Sequence, residues 1–198
     1  MTASVRFFEA QFQRQVAGGE YALNPFERLA LPYMRGEVLD LGCGLGNLAV
    51  EAARTGCRVT ALDGSTTAIA RLQRIARDEG LNLEARETDL SQYAIDREYD
   101  VIIAIGLLMF FPRARAEAML ADIAAHVRPG GTAVLNVLTE GTTFLDMFEP
   151  GHYHLFPRGA LEAALPGWEI LEAVHDTFPA SGDSVKVFDT VLARRREG

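Results

Sequence analysis

A short apolar run, Val38-Leu39-Asp40-Leu41, ends in three glycines spaced one residue apart, Gly42, Gly44 and Gly46, and a helical pattern opens at Asn47. A second apolar run, Val59-Thr60-Ala61-Leu62, ends in Asp63 followed by Gly64. Glycines at such a junction let the chain turn sharply from strand to helix and leave backbone N–H groups bare toward a ligand. Strands joined through a helix lie parallel, so the glycine loop and Asp63 fall at the same carboxyl edge of a sheet. An acid at that edge suits the hydroxyls of a ribose. The two runs together predict an adenosine-type ligand across the ends of two parallel strands.

The rest of the chain is consistent with that unit. Val5, Phe8, Phe12 and Val16 recur at helical spacing and stop at Gly18-Gly19. Asn24-Pro25 with Glu27 reads as a cap, a first-turn proline and a capping-box acid for a second helix running toward Met34. A helix over 47–56 is followed by a strand over 58–62, and Ser65 caps a helix with Ile69, Leu72, Ile75 and Ala76 inward. Strands are expected near 82–87 and over 99–105. Pro112 opens a helix carrying Met119, Leu120, Ile123 and Val127 on one face, stopped by Arg128-Pro129-Gly130-Gly131 before a strand over 132–138. The stretch 139–158 is irregular and rich in Phe, His, Tyr and Pro. Runs over 168–178 and 185–192 are joined without a helix, which predicts a closing hairpin with one antiparallel strand. The expected architecture is α/β, a single doubly wound domain over 1–198. Residues 1–35 form a helical arm, 36–138 the cofactor-binding half, and 139–198 a substrate-side segment with the hairpin.

Composition narrows the partners. With 48% hydrophobic residues in 198, the chain can bury a sizeable core, and its formal net charge of −8 disfavours nucleic acid or a membrane surface. The basic run Arg194-Arg195-Arg196 reads as a solvated tail. No leader-like apolar segment opens the chain and no run approaches membrane-spanning length, so a cytoplasmic location is expected. Cys43 and Cys57 have no metal-type or redox-type spacing, and Cys43 reads as a small filler in the glycine loop.

The charge pattern selects among adenosine ligands. A nicotinamide or flavin dinucleotide site uses Gly-x-Gly-x-x-Gly, whereas this loop is Gly-x-Gly-x-Gly with Asp40 just before it. An acid there repels a pyrophosphate and suits the ammonium of an amino-acid moiety. S-adenosyl-L-methionine, with an ammonium and a sulfonium, fits better than a dinucleotide. Asp63 would accept both ribose hydroxyls, or merely cap the helix at Ser65; the two roles are compatible. Asp89 after the third strand can accept from the adenine amine while Leu90 offers an apolar edge. The backbone near Ile105 would line the methionine portion, and Asn47 and Gly64 complete the candidate cofactor set.

These segments resemble the class I S-adenosylmethionine-dependent methyltransferases. Residues 40–46 match the first motif of that family, Asp63 its ribose acid and Asp89 its adenine acid. Tyr99-Asp100-Val101-Ile102 matches the fourth-strand motif, and Arg128-Pro129-Gly130-Gly131 the turn before strand five. The resemblance implies a Rossmann-like, mostly parallel seven-stranded sheet with an antiparallel last strand, and S-adenosyl-L-homocysteine as the product. Leu108-Met109-Phe110-Phe111, Phe156-Pro157 and Thr190-Val191-Leu192-Ala193-Arg194 resemble the small tellurite-resistance, TehB-like group. That group implies methylation of tellurium and selenium oxyanions and some thiols. It also implies a His-Arg pair in the closing hairpin and an arginine in the last strand. Here those stretches read Asp176-Thr177-Phe178 and Val187-Phe188, without the positive charge.

Marks of other methyltransferase classes are missing. No Asn/Asp-Pro-Pro-aromatic follows strand four, where the chain reads Ile105-Gly106-Leu107-Leu108, and neither cysteine is placed for cytosine-C5 chemistry. A small-molecule acceptor follows. Candidates to contact it are Phe7, Phe8, Phe12 and Arg14 on the arm, and His152, Tyr153, His154 and Phe156 in the irregular segment. His152 and His154 would face one way on an extended stretch, but without a third ligand nearby a metal site is not expected. A soft anion or thiolate needs no general base, whereas an alcohol or amine does. O- or N-methylation, a cofactor-binding sensor without turnover, and a nicotinamide oxidoreductase stand as alternatives. The acceptor atom and the oligomeric state, monomer or homodimer, stay open at this level.

Overall fold

A computed structural model describes residues 3–19 and 21–197, and the alternating pattern becomes seven strands in one sheet. The strands are β1 (Glu37–Leu41), β2 (Arg58–Asp63), β3 (Leu83–Glu87), β4 (Tyr99–Ile105), β5 (Val127–Leu138), β6 (Glu169–Pro179) and β7 (Val185–Arg194). Their order is β3-β2-β1-β4-β5-β7-β6. The first five run parallel, and β7 pairs antiparallel with both β5 and β6. The order reverses beside β1, next to the glycine loop, and such a switch point opens a crevice at the carboxyl edge.

The helices are α1 (Ala3–Gly18), α2 (Pro25–Ala30), α3 (Asn47–Arg54), α4 (Thr66–Glu79), α5 (Arg113–His126) and α6 (Ala160–Ala163). Strand alternation sends Val38, Val59, Val101 and Val134 to the face covered by α3 and α4. Leu39, Leu41, Ile102 and Leu135 face the other side, with Ile123 of α5 and Leu161 of α6. None of the described helices is long and apolar enough to cross a membrane.

Two boundaries differ from expectation. The helix opened by Asn24 stops at Ala30 and continues only as a single 3-10 turn, Leu31–Tyr33. Pro32 lacks the N–H an α-helix would use there and restricts Leu31. The capping box itself forms: Asn24 Oδ1 accepts from the Glu27 N–H at 2.9 Å, and Glu27 Oε2 from the Asn24 N–H at 2.7 Å. β5 begins at Val127, not after the Pro-Gly-Gly turn. Its pairing with β4 jumps from Tyr99–Val127 to Val101–Thr132, so residues 128–131 bulge from the ladder. Arg128 anchors that bulge by ion pairs to Glu37 at 2.7 Å and Asp100 at 2.9 Å.

Helix α1 lies over the carboxyl edge. The Glu9 carboxylate accepts from Ser65 Oγ at 2.5 Å and from Thr67 Oγ1, which ties the arm to the start of α4. Phe12 comes to rest on the glycine loop, where a Cβ on Gly44 (φ 53°) would sit 3.1 Å from its ring.

Candidate active site

The carboxyl ends of β1 to β5, the arm and the segment after β5 enclose a cleft of about 1110 Å³. Asp40, Gly42, Gly44, Asn47, Asp63, Gly64, Asp89, Leu90 and Ile105 all line it. Gly46, expected among them, does not. It has φ 67°, and a Cβ there would lie 2.4 Å from Leu72, so this glycine serves close packing of α4 instead of ligand access.

Asp40 is 4% exposed and its carboxyl makes no hydrogen bond with a described residue. Burial first, then the neighbouring Glu27 and Asp63 carboxylates, push it up to about 8. Asp63 is raised as well, chiefly by burial. Its Oδ2 accepts from the Gly44 N–H at 2.9 Å and its Oδ1 from the Ser65 N–H at 2.8 Å. The carboxylate thus stitches the glycine loop to the start of α4, and each oxygen retains a lone pair for a ligand hydroxyl. Asp89 sits on the exposed rim, where Oδ1 accepts from the Ser91 N–H at 2.9 Å and hydrogen bonding to Ser91 holds its carboxyl below the usual range. That hydrogen bond closes the turn that follows β3.

Glu27 is the functional candidate that sequence reasoning missed. The capping box explained it locally, but the same side chain lines the cleft and acts on Asp40 electrostatically. Burial raises its carboxyl. Glu27, Asp40, Asp63, Glu87, Asp89 and Glu149 give the cleft a strongly acidic wall, and no described arginine lines it. That donor set fits a cationic nucleoside with an ammonium and a ribose. It offers a pyrophosphate no guanidinium partner. Asn47 Oδ1 is buried without a partner in the same wall, an acceptor available to a ligand donor.

The expected acceptor residues divide. Phe7, Phe8, Phe12 and His152 line the cleft. Phe8 packs edge-on to Phe110 at 5.2 Å, and Phe110 meets Phe148 at 4.9 Å, so rings bridge the arm to the far wall. Arg14 points away from it and is exposed, because the inner stripe of α1 is taken by Phe8, Phe12 and Gln15. Tyr153 stacks on Phe148 at 4.6 Å and does not line the cleft. Phe156 is 2% exposed in the core, pinned by its N–H to the Leu138 carbonyl at 3.0 Å. His154 rests against the Phe156 ring at 4.5 Å and donates its N–H to the Met109 carbonyl. The stretch is bent at 151–152 rather than extended, so the two histidines do not share a side. Among the described residues no group of three His, Cys, Asp or Glu is arranged to hold a metal ion.

The remaining acceptor wall comes from residues carrying no motif: Asn136, Leu138, Phe144, Met147, Lys186 and Phe188. Asn136 is fully buried, with Nδ2 donating to Thr190 Oγ1 at 2.9 Å and Oδ1 left without a partner. Lys186 lies over the Phe144 ring at 4.6 Å.

Residues 38–131 match a family model described as a methyltransferase domain. Hemagglutinin 1 of Eikenella corrodens is 33% identical over 169 residues, covering 80% of this chain and 54% of its own length. A probable S-adenosyl-L-methionine-dependent methyltransferase TehB of Haemophilus influenzae is 29% identical over 168 residues, 81% of this chain and 57% of that protein. The chain thus spans just over half the length of these curated relatives. The crystal structure of TehB from Haemophilus influenzae superposes with a TM-score of 0.75 at 24% identity, over 88% of this chain and 63% of that one, a likeness of fold. Residues 38–131 thus match a methyltransferase domain, and in motifs, sheet order and the acidic cleft at the switch point the chain is similar to the class I S-adenosylmethionine-dependent methyltransferases, TehB among them.

Proposed function

We propose that the chain methylates a small-molecule acceptor at a soft nucleophile, a thiol or a selenium or tellurium oxyanion. The observation that carries this reading is that Asp40, Asp63, Glu87 and Asp89 gather at β1–β3 while Phe8, Phe110, Phe144, Met147 and Phe188 give the rest of the cleft a mostly apolar wall. When bound, S-adenosylmethionine supplies an electrophilic methyl on its sulfonium, which the acceptor's lone pair takes as the old carbon–sulfur bond breaks, leaving S-adenosylhomocysteine. Asp40, with Glu27 beside it, would receive the ammonium, Asp63 the ribose hydroxyls, and Asp89 with Leu90 the adenine. The aromatic wall excludes water from the acceptor, which strips hydration from a soft anion more cheaply than from a hard one. A thiolate or oxyanion lone pair needs no proton removed, so this half requires positioning and no base.

One observation favours O- or N-methylation instead: His152 lines the cleft and could take a proton from an alcohol or amine. A labelled-methyl screen over selenite, tellurite, thiols, small phenols and amines separates the readings. Product on sulfur, selenium or tellurium supports the proposal, and product on oxygen or nitrogen alone overturns it. Tight binding of S-adenosylhomocysteine with no transfer to any acceptor and no uncoupled turnover would instead assign a sensor.

A further inference from the structure

The chain has 19 lysines and arginines, and only one of them, Lys186, is a lysine. It is also the one Lys or Arg side chain among the described residues that lines the cleft. Its ammonium makes no ion pair with a described residue, although several carboxylates line the same cavity. Its described company is aromatic: Phe144 at 4.6 Å beneath it, Phe178 directly opposite on β6, and Phe188 two residues on along β7. Burial lowers the affinity of this amine for its proton, and no carboxylate offsets that. In sheet order β7 is three strands from β1, which carries Asp40; at the usual strand spacing that is about 14 Å. Most of the cleft's acids, Asp40, Asp63, Glu87 and Asp89, therefore sit at the β1–β3 end, and Lys186 is a single cation without an ion pair, set among rings at the β7 end.

A half-desolvated ammonium with only ring faces for company is a poor place to leave a charge and a good place to receive an opposite one. A small, strongly hydrated oxyanion is best held by several forked donors, which arginines supply and a lone ammonium does not. The cluster of Phe26, Phe178 and Phe188, with centroids 4.8–5.9 Å apart, offers apolar area that a bare oxyanion cannot use. We propose that Lys186 is the specificity-determining residue of the acceptor half, and that it selects an organic monoanion with an apolar or aromatic body. This rests on the methyl-transfer reading and narrows its acceptor class. Lys186 binds the anionic group, and the rings hold the body that carries the nucleophile.

The test pairs two probes, 3-mercaptobenzoate and thiophenol, which differ by one carboxylate. The unmodified protein is expected to prefer the carboxylate by about 10- to 100-fold in kcat/KM, through KM. That ratio should fall to near one in Lys186→Met and return in Lys186→Arg. A ratio that survives Lys186→Met, or efficient use of selenite or tellurite over 3-mercaptobenzoate, overturns the proposal. A second readout does not depend on turnover. Acetic anhydride labelling of Lys186, read by peptide mass spectrometry with S-adenosylhomocysteine present, should slow several-fold with 3-mercaptobenzoate and not with thiophenol. Protection without transfer would sink the methyl-transfer reading and leave the anion site standing. Transfer without protection or preference would do the reverse.

Discussion

Asp40→Asn should make the protein more stable and less able to bind its cofactor, with the gain set by pH. Asp40 is buried, lacks a described hydrogen-bond partner, and faces Glu27 and Asp63; its carboxyl titrates at about 8 against an ordinary 3.8. Near pH 4 folded and unfolded chains both hold the proton, so this carboxyl contributes no pH-dependent penalty. As pH rises through 4 the unfolded chain ionises and the folded one does not, so folding loses about 1.4 kcal/mol per pH unit until the folded group titrates near 8. At pH 7 the accumulated penalty has a ceiling of about 4 kcal/mol, and water entry into the cleft brings the expected value to about 2–4 kcal/mol. Asparagine has no such penalty. Thermal unfolding should therefore show the variant equal to the parent near pH 4 and higher by roughly 5–15 °C at pH 7. Calorimetry supplies the other half. At pH 7 the parent should release part of a proton, at most about one, on binding S-adenosylhomocysteine, because the ligand ammonium lowers the Asp40 pKa. Asp40→Asn should release little of it and bind about 10- to 100-fold more weakly. A variant whose stability tracks the parent at every pH would refute the reasoning, because the buried carboxyl would then carry no penalty to remove.

Asp63→Ala should weaken S-adenosylhomocysteine binding at least 100-fold by calorimetry and lower stability by about 1–3 kcal/mol, since the Gly44 and Ser65 N–H groups lose their acceptor. Unchanged affinity would remove Asp63 from the ribose site. Gly46→Ala should destabilise by about 2–4 kcal/mol in urea unfolding, because its new Cβ meets Leu72 at 2.4 Å on a backbone with φ 67°. Leu72→Ala in the same chain should recover part of that loss, and a cost under about 0.5 kcal/mol would show that α4 yields easily.

What could be read in advance was local chemistry. A glycine turn after an apolar run, an acid at the next strand tip and a proline-opened, asparagine-capped helix each carry their physical reason within a few residues. Other features depended on contacts between distant segments. Gly46 looked like its two neighbours until Leu72, 26 positions on, proved to occupy the space where its side chain would be. Glu27 had a sufficient explanation in its own capping box, which concealed its approach to Asp40. The irregular stretch after β5 has no period, so alternation could not say which of His152 and His154 turns inward. There the Thr139–Phe156 bridge decides, by drawing Phe156 into the core.

The same contrast explains why the cofactor was easier to name than the acceptor. The whole expected cofactor set, from Asp40 to Ile105, falls inside residues 38–131, the part that matches the family model. The other half of the cleft is made largely outside it, by Phe8 and Phe12 before and by Asn136, Phe144, His152, Lys186 and Phe188 after. A donor nucleoside is the same molecule in every member of the family, so the residues that meet it can keep a recognisable spacing. Acceptors differ, and the elements that meet them are an added arm, an irregular crossing and the outer strands of the sheet, which can change without disturbing β1 to β4. The one lysine of the chain lies in that variable half and not in the shared one. Acceptor choice in this protein is therefore to be sought in the arm and hairpin, and exchanging the hairpin with that of a relative should move substrate preference while leaving cofactor affinity where it was.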